Sequence, residues 1–197
     1  MSLENIAAIS REFGSNEDYV LAGGGNTSWK DDEFLYIKAS GFALATIQES
    51  GFVKMDRSRL AEIWSRKYPD DTAAREKAAL ADLMAARAAG ETEKRPSVET
   101  SLHEAIDEQY VVHTHPSLVN GLTCSMDGED AARRLLGEQA LWIPMVNPGY
   151  VLAVTVRNAL IRFQEEFGIS PVYILLQNHG VFISGETCDV IKERYAR

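Results

Sequence analysis

Cysteine and histidine are scarce in this 197-residue chain, and their small numbers limit the kinds of site it can build. The two cysteines, Cys124 and Cys188, lie far apart and lack the spacing of a thiolate metal site. A disulfide framework is therefore not expected, and a reducing, cytoplasmic setting is the natural prediction. The length suits a single domain over residues 1–197, long enough to bury a full core.

Positive charge and long apolar runs are also in short supply. The chain carries 20 Lys and Arg against 29 Asp and Glu, a net charge of -9, which argues against nucleic-acid and anionic membrane surfaces. No apolar run approaches the ~18 residues of a membrane span. The stretch MSLENIAAISREFG has the charges of an amphipathic helix rather than the pattern of a signal peptide. We therefore expect neither nucleic acid nor a membrane as a partner.

Helical and strand-like patterns are mixed along the chain. Helices are expected over residues 3–13, 57–67, 72–89, 128–138, 150–167 and 186–197, in a short stretch after Pro116, and from a cap at Ser97 to about Glu108. Strands are expected over residues 19–22, in the hairpin pair TSWK and EFLYIKAS, in GFVKMD, QYVVHTH and ALWIPMV, and in two runs of SPVYILLQNHGVFISG. This mixture predicts a layered α/β domain with a mixed sheet.

Two of the four histidines stand one residue apart at the end of an apolar strand pattern, in VVHTHP. Residues i and i+2 of a strand face the same side, so His113 and His115 can present both imidazoles to one point. His179 ends another apolar run, in QNHG. Histidines also gather at strand ends simply because they are half polar. Three of them together favour an open, catalytic metal site, in which water or substrate takes the remaining position.

Glu99 follows Ser97 at the start of a predicted helix, and His103 stands four residues further along on the same helix face. An acidic residue in a first helical turn interacts favourably with the helix dipole and needs no other role. The functional alternative is a general acid/base or a transient metal ligand, and it depends on a metal nearby.

Glycine clusters in AGGGNTSWK, and a second turn of small residues follows in IKASG. Consecutive glycines let several N–H groups point at one anion, and Asn26, Thr27 and Ser28 add side-chain donors. Neither stretch is a Walker loop or a dinucleotide fingerprint. Lys30 and Lys38 would add charge to an anion site, or both stretches are plain turns with solvated lysines.

Five motifs occur in order along the chain: GGGNTSWK, IKASG, PSVETSLH, VVHTHP and LQNHG. Together they resemble the class II aldolase/adducin family over about residues 23–185. The run RPSVETSLHEAIDEQYVVHTHPSLVNGLTC is most similar to the rhamnulose-1-phosphate aldolase half of bifunctional aldolase/dehydrogenase proteins. No dehydrogenase half follows, so we expect the aldolase-like domain to stand alone here or to lack a C-terminal segment.

The resemblance implies a three-layer α/β/α domain around a mixed, mostly antiparallel central sheet. It also implies a divalent metal ion, usually zinc, a sugar phosphate substrate, and a homotetramer with active sites between subunits. The family's site residues correspond here to the metal ligands His113, His115 and His179, the catalytic carboxylate Glu99, and the phosphate-binding residues Asn26, Ser40, Gly41 and Ser97.

The activity implied is that of a zinc-dependent aldehyde-lyase. It would cleave a ketose 1-phosphate, such as a deoxy-ketohexose 1-phosphate, to dihydroxyacetone phosphate and an aldehyde. Three alternatives stay open: a pentulose-phosphate 4-epimerase or a sugar-phosphate dehydratase on the same site, a non-catalytic adducin-like interaction module, and a domain that acts only within a larger assembly. Adducin-like heads lack the full set of metal histidines. Val98 stands where phosphate aldolases often have a second hydroxyl residue, and Tyr150 is the candidate proton donor.

Overall fold

The computed structural model describes residues 3–21 and 24–196. Within that part of the chain, seven strands form one sheet, which eight α-helices cover. The strands are β1 (Asn26–Lys30), β2 (Phe34–Lys38), β3 (Phe52–Asp56), β4 (Tyr110–Thr114), β5 (Ala140–Ile143), β6 (Tyr173–Leu176) and β7 (Gly180–Gly185). The helices are α1 (Leu3–Gly14), α2 (Arg57–Ile63), α3 (Thr72–Ala85), α4 (Thr100–Ala105), α5 (Ser117–Thr123), α6 (Gly128–Leu136), α7 (Tyr150–Phe167) and α8 (Cys188–Tyr195). Three short 3₁₀ helices cover Leu44–Thr46, Glu49–Gly51 and Gly137–Gln139.

The sheet has the strand order β3-β2-β1-β4-β7-β6-β5. Strands β5 and β6 run parallel, and the other five neighbouring pairs of described strands are antiparallel. Strand β4 lies at the centre, and all five of its residues are buried. The end of β4 is therefore held on both sides by neighbouring strands.

Helices pack on both faces of the sheet. On one face, α1, α6 and α8 pack with Val112 and its neighbours. On the other face, α4 and α7 pack with Val111, while α2 and α3 cover β2 and β3. The alternation along β4 follows from strand geometry, in which successive side chains point to opposite faces. The predicted three-layer α/β/α fold with a mixed, mostly antiparallel sheet is confirmed. Within the described residues, none of the helices is both long and apolar enough to cross a membrane.

Several predicted elements end earlier than expected, and one predicted strand does not form. Tyr19 and Val20 lie in a turn, where both N–H groups bond the carbonyl of Asn16, so the strand predicted over 19–22 does not form there. Ala22, like Gly23 of the glycine run, lies outside the described residues. Helix α3 ends at Ala85 rather than at residue 89, because residues 86–88 hydrogen-bond along the outer edge of β3 instead.

Helix α4 is shorter at both ends than predicted. Ser97 Oγ accepts the Glu99 N–H at 3.2 Å, and Thr100 Oγ1 donates to the Ser97 carbonyl at 2.6 Å, so Ser97 begins a turn before the helix rather than capping it. Glu99 is the N-cap residue, with φ -92° and ψ 10° and no capping bond from its side chain. Ile106 is extended and ends the helix.

A row of polar side chains on β1 faces α4. We call Asn26, Ser28 and Lys30 the β1 polar row; all three are buried. Asn26 and Ser28 contact His103, and Lys30 Nζ donates to the carbonyls of His103 and Ile106 at the end of α4. Lys30 therefore satisfies carbonyls that a helix end leaves without intrahelical partners.

For Thr27, Ser28 and Lys30, an anion-binding turn and a plain turn with a solvated lysine are both wrong, whereas the strand expected for TSWK is confirmed. These residues form a strand, and their side chains are already committed. Thr27 shares a hydrogen bond of 2.6 Å with Ser10 on the α1 face, and Ser28 bonds His103 at 2.7 Å. Lys30 is 2% exposed, so its ammonium cannot reach an anion in solution.

Replacing Lys30 by Met should change the pH dependence of stability. Burial lowers the pKa of Lys30 from 10.5 to about 8, so between these values the unfolded chain binds this proton more tightly than the folded chain. The contribution of Lys30 to the free energy of unfolding therefore rises with pH, by about 2 kcal/mol between pH 7 and 9.5. Urea denaturation at both pH values should show the wild type gaining that amount relative to Lys30→Met.

Lys67→Met, at an exposed position, is the matched control for the loss of one lysine. A difference between wild type and Lys30→Met that does not change with pH would contradict a buried, titrating Lys30.

Candidate metal centre

His113 is fixed by the centre of the sheet. It is fully buried, and its ring stacks on Phe182 of β7 with centroids 4.1 Å apart. His113 Nδ1 is 2.9 Å from the Val181 carbonyl, which can only accept, so Nδ1 carries the proton. The remaining nitrogen, Nε2, therefore has its lone pair free, and it lies 3.0 Å from His115 Nε2.

His179 reaches the same place from the turn between β6 and β7. Asn178 there adopts a left-handed conformation with φ 59°, which asparagine tolerates better than most residues. The Asn178 N–H donates to the Thr123 carbonyl, and the His179 N–H donates to the Leu176 carbonyl. These bonds hold the turn so that the imidazole of His179 faces the other two.

One ligand atom from each of the three histidines lies within 4.8 Å of the others. Burial lowers the pKa of His113 to about 4, and burial followed by the nearby His179 lowers the pKa of His115. Both rings are therefore neutral at pH 7, the form in which imidazole binds a metal ion. The predicted set of His113, His115 and His179 comes together in the structure and could hold a divalent ion.

Glu99 lies against this cluster and is 7% exposed. Its Oε2 accepts a hydrogen bond from Asn26 Nδ2, while Oε1 is 3.4 Å from His179 Nε2. Oε1 is buried and has no hydrogen-bond partner among the described residues. A buried carboxylate oxygen left without a partner is costly, and the three imidazoles beside it make a donor set that suits a divalent cation.

The charge of Glu99 follows from two opposed effects. Burial raises the pKa of Glu99, but His113, His179 and the Asn26 amide together bring it below its ordinary value. Glu99 is therefore an ionised carboxylate at neutral pH. Glu99 is the N-cap residue and makes no capping bond. It therefore does not lie inside the first helical turn, where a partner of the helix dipole was expected.

The four predicted phosphate-binding residues lie in two neighbouring places. Asn26 and Ser97 are 3.4 Å apart beside Glu99. Ser40 and Gly41 lie beside the segment that carries Ser97. Ala39 forms a β-bridge with Pro96, and the Ser40 hydroxyl donates to the Pro96 carbonyl at 3.1 Å. The structure therefore brings the two groups side by side, although the Asn26 amide is already bonded to Glu99.

Lys38 ends β2 close to these residues. Its side chain is buried, and its Nζ donates one long hydrogen bond of 3.5 Å to the neighbouring Ala39 carbonyl. Burial lowers the pKa of Lys38, and the negative charge of Glu99 opposes that effect. An ammonium group has three donors, so Lys38 retains hydrogen-bonding capacity beside the site.

Sequence reasoning singled out His103 without a defined role. The structure buries its ring completely between Asn26 and Ser28, and these contacts come from a strand more than 70 positions earlier in the chain. The spacing of four residues from Glu99 was the one signal for it. Tyr150, the candidate proton donor, packs against Tyr68 with ring centroids 4.5 Å apart at the start of α7.

Glycines keep the histidine cluster tightly packed. Gly25 has φ 73°, and a Cβ there would lie 2.7 Å from the His113 carbonyl oxygen. A Cβ on Gly180 would lie 2.5 Å from His115 Cδ2 and 2.6 Å from the Thr114 carbonyl oxygen. The backbone therefore approaches the candidate ligands too closely for any side chain.

Fold and site together describe a three-layer α/β/α protein with three imidazoles and a buried carboxylate gathered at one end of the central strands. A family model described as Class II Aldolase and Adducin N-terminal domain matches residues 4–195. The chain belongs to this family, as its five motifs predicted.

Three known proteins show how far the similarity extends. The chain is 25% identical over 202 residues to the uncharacterized oxidoreductase YuxG of Bacillus subtilis (strain 168), covering 98% of this chain and 28% of that protein. An N-terminal class II aldolase domain from Thermoplasma acidophilum is 28% identical with a TM-score of 0.82, covering 98% of this chain and 88% of that one. An L-fuculose-1-phosphate aldolase from Thermus thermophilus shares the fold at 17% identity and a TM-score of 0.58, with 98% and 87% covered.

Gly180→Ala should displace His115, because the added methyl group meets the imidazole ring and a backbone oxygen that cannot move away. We expect a loss of stability of about 1–3 kcal/mol from overpacking and a clear fall in zinc affinity. Isothermal titration calorimetry and thermal unfolding of the metal-free protein would measure both. Gly121→Ala, which has open space in helix α5, is the matched control and should leave zinc binding unchanged. Normal zinc affinity in Gly180→Ala would contradict the expected displacement of His115.

Proposed function

We propose that the chain is a class II, metal-dependent aldehyde-lyase. Its substrate would be a ketose 1-phosphate, such as a deoxy-ketohexose 1-phosphate, and its products dihydroxyacetone phosphate and an aldehyde. The observation that carries this proposal is the buried Oε1 of Glu99, which faces His179 and the other two histidines without a hydrogen-bond partner among the described residues.

His113, His115 and His179 would hold the divalent ion, for which zinc is the expected metal. When bound, such an ion supplies Lewis acidity to the substrate oxygens next to the bond that breaks. Three neutral ligands leave its positive charge uncompensated, which suits this chemistry. Each histidine would use one nitrogen as a ligand, and the other nitrogen of His113 is already bonded to the Val181 carbonyl, so we assign proton transfer to a different residue.

Glu99 would move the proton. In the cleavage direction the ionised carboxylate would take the proton of the C4 hydroxyl as the C3–C4 bond of the ketose breaks and the aldehyde forms, and it would then give that proton to C3 of the three-carbon product. Oε1 is the atom placed to deliver a proton to C3, because Oε2 is held by Asn26. Burial excludes water from this carboxylate, so the proton is exchanged with substrate rather than with solvent.

The phosphate group would lie at Ser40, Gly41 and Ser97. Gly41 has φ 90° and open space around its Cα, so an anion can approach its backbone closely. Lys38 adds a positive charge with unused donors. We assign Asn26 a smaller share of phosphate binding than the family resemblance implies, since its amide is already engaged.

A homotetramer and a cytoplasmic location complete the proposal. Large apolar side chains are strongly exposed in the single chain, as expected of a surface that another subunit covers; these include Leu118, Met126, Leu135 and Met145. Cys124 and Cys188 are free thiols, which suits a reducing compartment.

His115→Ala should remove most of the bound metal, because two remaining ligands hold an open site poorly. We expect the wild type to carry close to one divalent ion per chain and the variant to carry a small fraction of that. Elemental analysis after dialysis measures it, with circular dichroism to check the fold. Full occupancy in the variant would disprove the three-histidine site.

The activity itself is tested by product analysis with a panel of sugar phosphates. We expect release of dihydroxyacetone phosphate by the wild type and a fall in kcat of about 10²–10⁴-fold in Glu99→Gln, which keeps the shape of the side chain and removes its charge. Zinc content should stay near that of the wild type. An epimerised pentulose phosphate or a dehydrated product would instead assign one of the related reactions to the same site.

Glu104→Gln is the matched control for Glu99→Gln. Glu104 is a shielded carboxylate five residues further along the chain, and it pairs with Arg57 at 3.0 Å rather than with a histidine. Its loss should lower stability and leave kcat within a few fold of the wild type. A Glu99→Gln variant with near-normal kcat would end the proton-transfer role.

A further inference from the structure

The side chain that holds the Glu99 carboxylate is itself held by a second buried group. Asn26 Nδ2 donates to Glu99 Oε2, and Asn26 Oδ1 lies against His103 Nε2. The other ring nitrogen of His103, Nδ1, is 2.7 Å from Ser28 Oγ. Four side chains thus form one continuous chain of hydrogen bonds, from Ser28 through His103 and Asn26 to Glu99.

The direction of every proton in this chain follows from the orientation of the Asn26 amide. The Asn26 amide lies with Nδ2 against Glu99 Oε2, so its NH₂ group donates and the carboxylate oxygen accepts. Asn26 Oδ1 then faces His103 and can only accept, so His103 Nε2 must carry a proton. In the neutral ring Nδ1 is consequently an acceptor, and the Ser28 hydroxyl donates to it. Burial, followed by nearby His113 and Lys30, lowers the pKa of His103 well below its ordinary value, in keeping with a neutral ring.

This order matters because, within the described part of the chain, the Asn26 amide is the only hydrogen-bond partner of the Glu99 carboxylate. Its side chain makes no capping bond to α4, and the last torsion of a glutamate is broad and nearly two-fold. The Asn26 N–H selects Oε2 as the bound oxygen and so leaves Oε1 directed at His179. An Asn26 amide turned by 180° would place an oxygen against the carboxylate and lose the bond.

We propose that His103 is a positioning residue, which as the Nε2-protonated neutral tautomer orients the Asn26 amide and through it the Glu99 carboxylate. Asn26 then acts on the carboxylate first and on a phosphate group at most second. The catalytic part of this inference rests on the proposed function, whereas the tautomer of His103 does not. A buried histidine that merely fills space between α4 and β1 would require neither a particular tautomer nor a donor at Nε2.

The tautomer is measured on the wild-type chain by ¹⁵N NMR with ring-labelled histidine. The signal of His103 among the four histidines is the one missing from His103→Gln. We expect a neutral ring with its proton on Nε2, unchanged in the zinc-loaded and zinc-free protein. A proton on Nδ1, or a cationic ring at pH 7, would overturn the proposal.

The functional consequence is measured with matched variants. Glutamine offers an N–H donor at the position of Nε2 and leucine does not, so His103→Leu should lower kcat at least about tenfold and His103→Gln should restore most of it, with zinc content and KM near the wild type in both. Asn26→Asp keeps the acceptor for His103 but removes the donor for Glu99. It should lower kcat while the His103 tautomer persists.

Equal kcat values in His103→Leu and His103→Gln, or a raised KM with normal kcat in Asn26→Asp, would overturn the positioning role. If His103→Leu does not fold, the kcat values of His103→Gln and Asn26→Asp still test the positioning role. If the wild-type chain turns over none of the sugar phosphates, the proposed function fails, and the NMR signature of the wild type and of Asn26→Asp still decides the orientation of the amide.

Discussion

The hydrogen bonds between the β1 polar row and helix α4 are the interaction on which the site depends. A strand next to the centre of a sheet would ordinarily present apolar side chains to the helix above it. Here Asn26, Ser28 and Lys30 are buried, and polar groups at such positions are tolerated only when they are paired. Helix α4 and its two cap residues, Glu99 and Ile106, supply the partners. Directional bonds thereby determine where this short helix lies.

The strand register fixes the position of His113 relative to Asn26. Asn26 on β1 pairs with His113 on β4, and His113 pairs with Phe182 on β7, so the amide, the imidazole and the stacking ring form one row across the sheet. A shift of one residue in either pairing would turn His113 to the opposite face. The glycines near His115 allow the turns on both sides to close on this row without displacing it.

The fold and the clustering of the histidines could be predicted from the sequence, whereas the contacts of the β1 polar row could not. His113 and His115 follow from the two-residue period of a strand, and α7 was predicted at its observed bounds because its helical pattern is long and unbroken. The roles of Ser28 and Lys30 could not be found this way, since their partners stand more than 70 positions later in the chain. The strand TSWK was expected, but no local pattern distinguishes a buried lysine that caps a helix from a solvated one. The prediction of Ser97 as a helix cap failed for a related reason, because its hydroxyl closes a tight turn just before the helix.

The histidines and the Glu99 carboxylate belong to different secondary-structure elements. The three imidazoles belong to the sheet and to the turn between β6 and β7, whereas Glu99 precedes a six-residue helix that rests on that sheet. A substitution of Glu99 itself would therefore leave all three imidazoles on their own elements. The residues that would hold an ion and the residue that would move a proton can therefore be altered separately, the first by changes in the sheet and the second by a change at a single position before α4.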